Sequence, residues 1–304
     1  MSGTTQKPAT AYRLVRAAAG YLTVEPRPTP EELEAFYQDL YFQQTVSTQY
    51  QSSYSPDDLE LLALQHGIAL FAAEQVLGNA AAARTLLDVA CGEGFMLAAA
   101  KARGYDVWGM DYSSYGIERH NPQLMPWFRQ GNVLSLLDQL IGEERRFRVV
   151  NLSGILEHVL DPVALIEKAK GVLDTSGVIR VLAPNDDSKI QRLAKALGKI
   201  EQPWFCPPQH LHYFNAETLP KFLEAQGLLV KKLLGDFPID YFLLNDWSNY
   251  VADPGRGKQA HVVRQHAQRL LHEAGDEACV LLQEAQARCG IGRDIAAYAV
   301  AGGA

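Results

Sequence analysis

The sequence predicts an α/β fold, doubly wound around a mostly parallel sheet. Three observations predict it. Between residues 85 and 182 short apolar runs alternate with helix-patterned segments, the order that builds parallel strands joined by crossover helices. The runs are continuously apolar, as in Leu86-Leu87 and Val149-Val150, which burial on both sheet faces demands. The first run ends in a glycine turn, Cys91-Gly92-Glu93-Gly94, and the second in Asp111, at the edge where open α/β sheets bind ligands.

Taken in order, residues 1–30 read as an extended polar arm punctuated by Pro8, Pro26, Pro28 and Pro30. Thr29-Pro30-Glu31-Glu32 opens a helix to about Phe42, with an N-cap hydroxyl, proline at the first position and acids in the first turn. Ser55-Pro56-Asp57-Asp58 repeats that signal, and Leu61, Leu62, Leu64, Ile68, Leu70 and Phe71 carry a helix to Gly78. Strands are predicted at Thr85–Ala90, Asp106–Met110, Phe128–Val133, Phe147–Leu152 and Gly177–Leu182. Helices are predicted at Phe95–Arg103, Ser113–His120 and Pro162–Leu173. Beyond Pro184 come a helix at Ser188–Leu197, a stiff aromatic loop from Pro203 to Pro208, a helix at Ala216–Gln226 and a strand at Leu228–Leu234. Residues 240–290 are helical in pattern, broken at Pro254-Gly255, and Ile295–Val300 is a last strand.

Composition bounds the function. Of 304 residues 47% are hydrophobic, ample for a large core, and 28 Lys+Arg against 35 Asp+Glu leave a net charge of −7. That balance argues against a partner held by its phosphate backbone. Cys91, Cys206, Cys279 and Cys289 lie far apart with no C-x-x-C pair, so disulfides and cysteine zinc sites are not expected and a reducing cytoplasm is the plain reading. Lys7, Arg13 and Arg16 precede no apolar block, so no secretory signal is read, and Gln65, His66 and Glu74 interrupt the best stretch for a membrane span.

Small residues in the glycine turn let a ligand approach the backbone, where a helix N-terminus offers N–H groups. Asp88 and Glu93 set negative charge there, which suits a cofactor bearing an ammonium group and disfavours a dinucleotide pyrophosphate. The pattern G-x-G-x-x-G is also broken, with Ala90 and Leu97 at the outer glycine places. Asp111 stands where an acid accepts both ribose hydroxyls of a nucleoside, or caps the next helix, or both.

The run Asp88-Val89-Ala90-Cys91-Gly92-Glu93-Gly94, with Asp111 after the second strand, resembles the S-adenosylmethionine site of class I methyltransferases. So does Asn151-Leu152-Ser153-Gly154-Ile155-Leu156-Glu157-His158-Val159-Leu160-Asp161-Pro162, which matches the family's strand-four motif ending in Glu-His-Val and Asp-Pro. The family usually has glycine where Ala90 stands and Asp where Asn132 stands. The resemblance spans about residues 57–239 and 291–304. It implies a seven-stranded Rossmann-like sheet with an antiparallel last strand, carrying an N-terminal helical arm and a helical insertion before that strand. The divisions are then 1–56 as arm or lid, 57–239 with 291–304 as core, and 240–290 as insertion. The implied cofactor is S-adenosylmethionine, leaving as S-adenosylhomocysteine. It is held by Asp88, Ala90, Cys91, Gly92, Gly94, Asp111, Tyr112 and Asn132, the last through its carbonyl to the adenine amino group.

Pro207-Pro208-Gln209-His210-Leu211-His212-Tyr213-Phe214-Asn215 resembles a His-x-x-Phe-(Ser/Asn) motif found after strand five in a subgroup that modifies sugars and natural products. His158 and His210 are therefore the candidate bases for a hydroxyl acceptor, each with a bland alternative as a packing or loop-anchoring residue. Tyr50 and Tyr54 either close a lid over the cofactor or staple the arm to the sheet. Trp204, His212 and Tyr241 are the candidate substrate contacts. No metal is expected, since no third ligand lies at helical spacing from the histidines and no acid cluster adjoins them. The basic stretch Arg256–Arg269 reads as a solvated helix face or a grip on an acceptor's phosphate. Oxygen methylation of a sugar or specialised metabolite is the favoured reading. Its rivals are N-methylation of an amino sugar and a catalytically silent cofactor-binding subunit. Partners reduce to the small-molecule acceptor, with no nucleic acid or membrane, and the 240–290 segment serves either as acceptor pocket or as the surface of a homodimer.

Overall fold

The structure, a computed structural model, describes residues 11–33, 36, 53–78, 84–202 and 204–302. Its framework is a seven-stranded sheet in the order β5-β4-β3-β6-β7-β10-β9. The strands are β3 (Thr85–Val89), β4 (Asp106–Asp111), β5 (Phe128–Gln130), β6 (Phe147–Ser153), β7 (Leu173–Pro184), β9 (Leu228–Gly235) and β10 (Asp294–Ala301). Pairing from β5 through β7 is parallel, and β10 runs antiparallel between β7 and β9. The chain winds outward from β3 to β5 and then returns to β6. The carboxyl ends of β3 and β6 therefore flank the point where the winding reverses, the crevice in which such sheets bind ligands. The predicted seven strands and the antiparallel last one are all present.

Both faces are covered. On one, Leu87, Val89, Val150, Leu152, Ile179 and Val181 pack beneath α4 (Val133–Gly142), α5 (Pro162–Gly171) and α7 (Thr218–Ala225). On the other, Leu86, Val107, Val149, Val178 and Tyr298 meet α1 (Pro56–Leu77), α2 (Phe95–Ala102) and α9 (Asp276–Cys289). The short α3 (Tyr115–His120) adds Ile117 to that second layer. Helix starts follow their sequence signals. Ser55 and Asp58 form a reciprocal capping box at α1, and Ser188 and Gln191 another at α6 (Lys189–Ala196), each worth about 1 kcal/mol. Thr29 and Glu32 bond reciprocally in the same way, and the chain turns helical at Pro30; residues 37–52, including Tyr50, lie outside the described residues.

Three elements depart from the sequence expectation. The arm is not simply extended: β1 (Arg13–Arg16) and β2 (Leu22–Glu25) form a hairpin, and β2 pairs antiparallel with β8 (His212–Tyr213). The third strand stops at Gln130, because Asn132 accepts from Leu134 and Ser135 N–H and starts α4, a helix that the apolar run 133–141 carries. Residues 240–290 divide, with 3₁₀ turns at Ile239–Leu244 and Pro254–Arg256 followed by α8 (Gly257–His272) and α9. Cys279 and Val280 of α9 pack into the sheet's second layer. The basic stretch of α8 meets α1's acidic first turn: Arg269 pairs with Asp57 and Glu60, and His261 and Gln265 reach Asp58. Much of its charge is therefore spent on contacts within the fold. Among the described residues no helix is long and apolar enough to cross a membrane.

Candidate active site

At the carboxyl end of β3 the chain turns through Ala90, Gly92 and Gly94, with φ values of 60°, 54° and 78°. Glycine takes this left-handed backbone freely, whereas Ala90 takes it at a cost. The turn is clamped from β4. Asp111 Oδ2 accepts from Gly92 N–H at 2.9 Å, Oδ1 accepts from Ser113 N–H at 3.0 Å, and Cys91 N–H donates to the Met110 carbonyl at 3.0 Å. Asp111 is 6% exposed and burial raises its pKa. A carboxylate offers about four acceptor sites, so Asp111 keeps capacity beyond its bonds to the Gly92, Tyr112 and Ser113 backbone. The Cys91 side chain is buried beside Gly109, so this residue offers the turn its backbone alone.

Glu93 is held over the turn. Tyr54 donates to its Oε2 at 2.6 Å, His120 Nε2 lies 3.4 Å from its Oε1, and Asn121 Nδ2 donates to its carbonyl at 2.8 Å. The Tyr54 ring stands edge-on to Phe95 and His120, with centroids 5.2 and 5.1 Å away. One of the two predicted lid tyrosines thus reaches the turn. Asp88 sits deeper, 2% exposed, at the end of a chain of bonds across four strands. Asn151 Nδ2 donates to its Oδ1 at 2.6 Å, Arg180 donates to Asn151 Oδ1 at 2.7 Å and to the Tyr298 hydroxyl at 3.2 Å, and that hydroxyl donates to the Ala69 carbonyl. Burial pushes Asp88 up to about 7, against the pull of the Asn151 bond and the Arg180 charge.

The neighbouring half of the edge is built from β6, β7, the loop before β8 and the start of β10. His158 and His210 meet with ring centroids 4.8 Å apart and planes at 83°. His158 Nδ1 donates to the Gln209 carbonyl at 2.7 Å, which makes Nε2 the basic nitrogen of the neutral ring. Burial lowers the pKa of both histidines, that of His210 to about 3, so both are neutral imidazoles at pH 7. Glu157 is 3% exposed, burial pushes it up to about 8, and its Oε1 lies 3.7 Å from His158 Nε2. Beside them Arg293 donates to Asp186 Oδ1 at 3.1 Å, and burial pushes Asp186 up to about 7. Asp240 adds to the charge around Arg293 and is itself bonded by Gln191 and Tyr250.

Several predicted site residues are placed elsewhere. Trp204 is buried in a small core with Tyr12, Val24, Leu211 and Tyr213 beneath the hairpin, and does not line the edge. His212 is 1% exposed; its Nε2 donates to the Val159 carbonyl at 2.9 Å and its Nδ1 meets Thr23 Oγ1 at 3.1 Å, so both nitrogens tie the hairpin to the sheet. The reason is common to both: the hairpin covers a loop that an extended arm leaves open. Asn132 spends its carbonyl as the α4 cap rather than keeping it for an adenine. Tyr241 is half exposed on the 3₁₀ turn, where its neighbour Asp240 turns inward. Tyr112 follows Asp111 and is just under half exposed. Asp186, Asp240 and Arg293 are functional candidates that sequence reasoning misses, since no local spacing joins them.

The small-residue turn, the strand-end carboxylate with acceptor capacity and the acidic surroundings fit a cationic nucleoside such as S-adenosylmethionine. Comparison with known proteins agrees. A family described as a methyltransferase domain matches residues 49–233. The ubiquinone biosynthesis O-methyltransferase of Haemophilus ducreyi is 31% identical over 197 residues, covering 59% of this chain and 81% of that protein. Its namesake from Caulobacter vibrioides is 27% identical over 172 residues, covering 54% of this chain and 66% of that protein. Among solved structures the plantazolicin methyltransferase BpumL in complex with SAH aligns with a TM-score of 0.50 at 14% identity, over 90% of this chain and 96% of that one, a likeness of fold.

Proposed function

Because the chain belongs to the methyltransferase-domain family, whose enzymes take a methyl group from S-adenosylmethionine, we propose that its acceptor is a hydroxyl of a small molecule, a sugar or specialised metabolite. The observation that carries this reading is the pair of partly buried, neutral imidazoles, His158 and His210, at the strand end beside the turn. A hydroxyl must give up its proton as the new bond forms; His158, with Nδ1 held by Gln209 and Nε2 left basic, is the side chain suited to take it, while His210, pushed down to about 3, is the weaker acceptor. The names of the curated relatives, O-methyltransferases of ubiquinone biosynthesis, support oxygen as the acceptor atom.

S-adenosylmethionine, when bound, supplies an electrophilic methyl group; the chain's task is alignment, exclusion of water and proton removal. Asp111 turns its remaining acceptor capacity to the ribose hydroxyls while Gly92 and Ser113 hold it in place. Glu93, fixed by Tyr54, supplies negative charge toward the cationic ligand, and Asp88 below the turn adds to it when ionised. Gln209 orients His158 toward the acceptor side.

The test is incubation with a methyl-labelled cofactor and a panel of nucleotide sugars, amino sugars and phenols. Label is expected on a hydroxyl. His158→Ala and His210→Ala are expected to cut turnover by about 10²–10⁴ with S-adenosylhomocysteine affinity unchanged. Label on amines alone replaces this reading with N-methylation, and full turnover in both variants removes the histidine base. Tight NADH binding with no S-adenosylhomocysteine binding overturns the cofactor.

A further inference from the structure

We propose that Glu157, His158 and His210 form a binding site for a divalent transition-metal ion, zinc or a first-row neighbour, at the carboxyl edge of β6. One ligand atom from each residue can be chosen so that all lie within 4.8 Å of one another. Glu157 Oε2 and His210 Nδ1 are both buried with no hydrogen-bond partner. Leaving two such atoms unsatisfied costs about 1–3 kcal/mol each, so the fold holds them there against a penalty that one cation relieves at a stroke. The three side chains are also set in place. The Glu157 carbonyl accepts from Leu211 N–H at 2.7 Å and His212 N–H at 3.3 Å, which stitches the loop after β6 to the loop before β8. His158 Nδ1 donates to the Gln209 carbonyl, the outer contact that fixes the tautomer of a ligating histidine and presents its other nitrogen.

Two imidazoles and one carboxylate are the donors of zinc and its first-row neighbours; magnesium takes oxygen. Three protein ligands leave a position open, and a hydroxyl bound there would be made more acidic, so with the ion in place His158 Nε2 serves as a ligand and not as the proton acceptor. Sequence spacing predicts no metal, because helical repeat does not join these residues. The fold supplies the missing acid from the position directly before His158 and the second imidazole from the far side of β7. The inference rests on the acceptor-side placement of the two histidines given above, and not on the acceptor's identity.

The decisive measurement is titration of the chelator-treated full chain with Co²⁺, read by visible absorption, with Zn²⁺ and Mg²⁺ as competitors. S-adenosylhomocysteine calorimetry on the same samples reports on the cofactor half separately. One Co²⁺ per chain, intense visible bands and displacement by Zn²⁺ but not by Mg²⁺ are expected. His158→Ala, His210→Ala and Glu157→Gln should each weaken Co²⁺ binding by more than about tenfold, with S-adenosylhomocysteine affinity retained. Wild-type protein that binds S-adenosylhomocysteine yet shows no saturable Co²⁺ binding overturns the proposal without touching the methyltransferase reading. Co²⁺ binding indifferent to His210→Ala, or displacement by Mg²⁺ at equal concentration, overturns it too.

Discussion

Ala90 shows how much can ride on one β-carbon. Its backbone at φ 60° costs an L-residue about 1–2 kcal/mol, and a glycine there would lose part of that gain, about 0.4–1 kcal/mol, to unfolded-chain entropy. Ala90→Gly is therefore expected to raise stability by up to about 1 kcal/mol, read as a higher urea midpoint with an unchanged slope; a lower midpoint would mean that the methyl group packs better than its strain costs. Asp111 stakes more on function. It clamps Gly92 and is proposed to take the ribose, so Asp111→Ala should weaken S-adenosylhomocysteine binding by at least about tenfold in calorimetry. Affinity equal to wild type would take the ribose role away. Both residues are legible in the sequence because strand ends and glycine turns leave local marks. Asp186 and Arg293 leave none: separate stretches bring them beside Glu157, and only the tertiary fold makes them neighbours.

Among the elements, the hairpin most changes what the sequence suggests. A four-residue strand pairing with a two-residue strand far along the chain is too short for periodicity to register, so Trp204 and His212 look available when they are covered. His212 makes the consequence measurable. Burial lowers it from 6.5 to about 4, so between those values the unfolded chain holds a proton that the fold refuses. Stability from this group is complete above pH 6.5 and drains away as pH falls toward 4, by up to about 3 kcal/mol. His212→Gln, which has no such proton to take, should show a flatter dependence of the urea midpoint across that window. Curves that run parallel would assign the slope to other groups. The missed helix α4 has another cause, since its cap, Asn132, sits where a strand's last residues were expected.

For the molecule as a whole, the buried line from Asp88 through Asn151 and Arg180 to Tyr298 ties four strands to α1 with polar bonds inside an apolar layer. Removing a member leaves the others buried and unpaired. Tyr298→Phe should cost about 1–3 kcal/mol and Arg180→Met about 3–5 kcal/mol, measured by denaturant unfolding; an Arg180→Met protein as stable as wild type would show that the line carries no net charge to be balanced. The mostly parallel, doubly wound sheet was legible, since alternation and apolar runs are whole-chain patterns, whereas its antiparallel last strand followed from the family resemblance. Its deepest consequence lies in β10, which fills the gap between β7 and β9 and begins with Asp294, next to Arg293. Until that stretch has been synthesised both flanking strands present open edges, sticky templates for neighbouring chains. A nascent or truncated chain ending before it should therefore aggregate, and the acceptor half of the edge comes into being only in the step that seals the sheet. Closure of the sheet and completion of the proposed acceptor site are in this way one event.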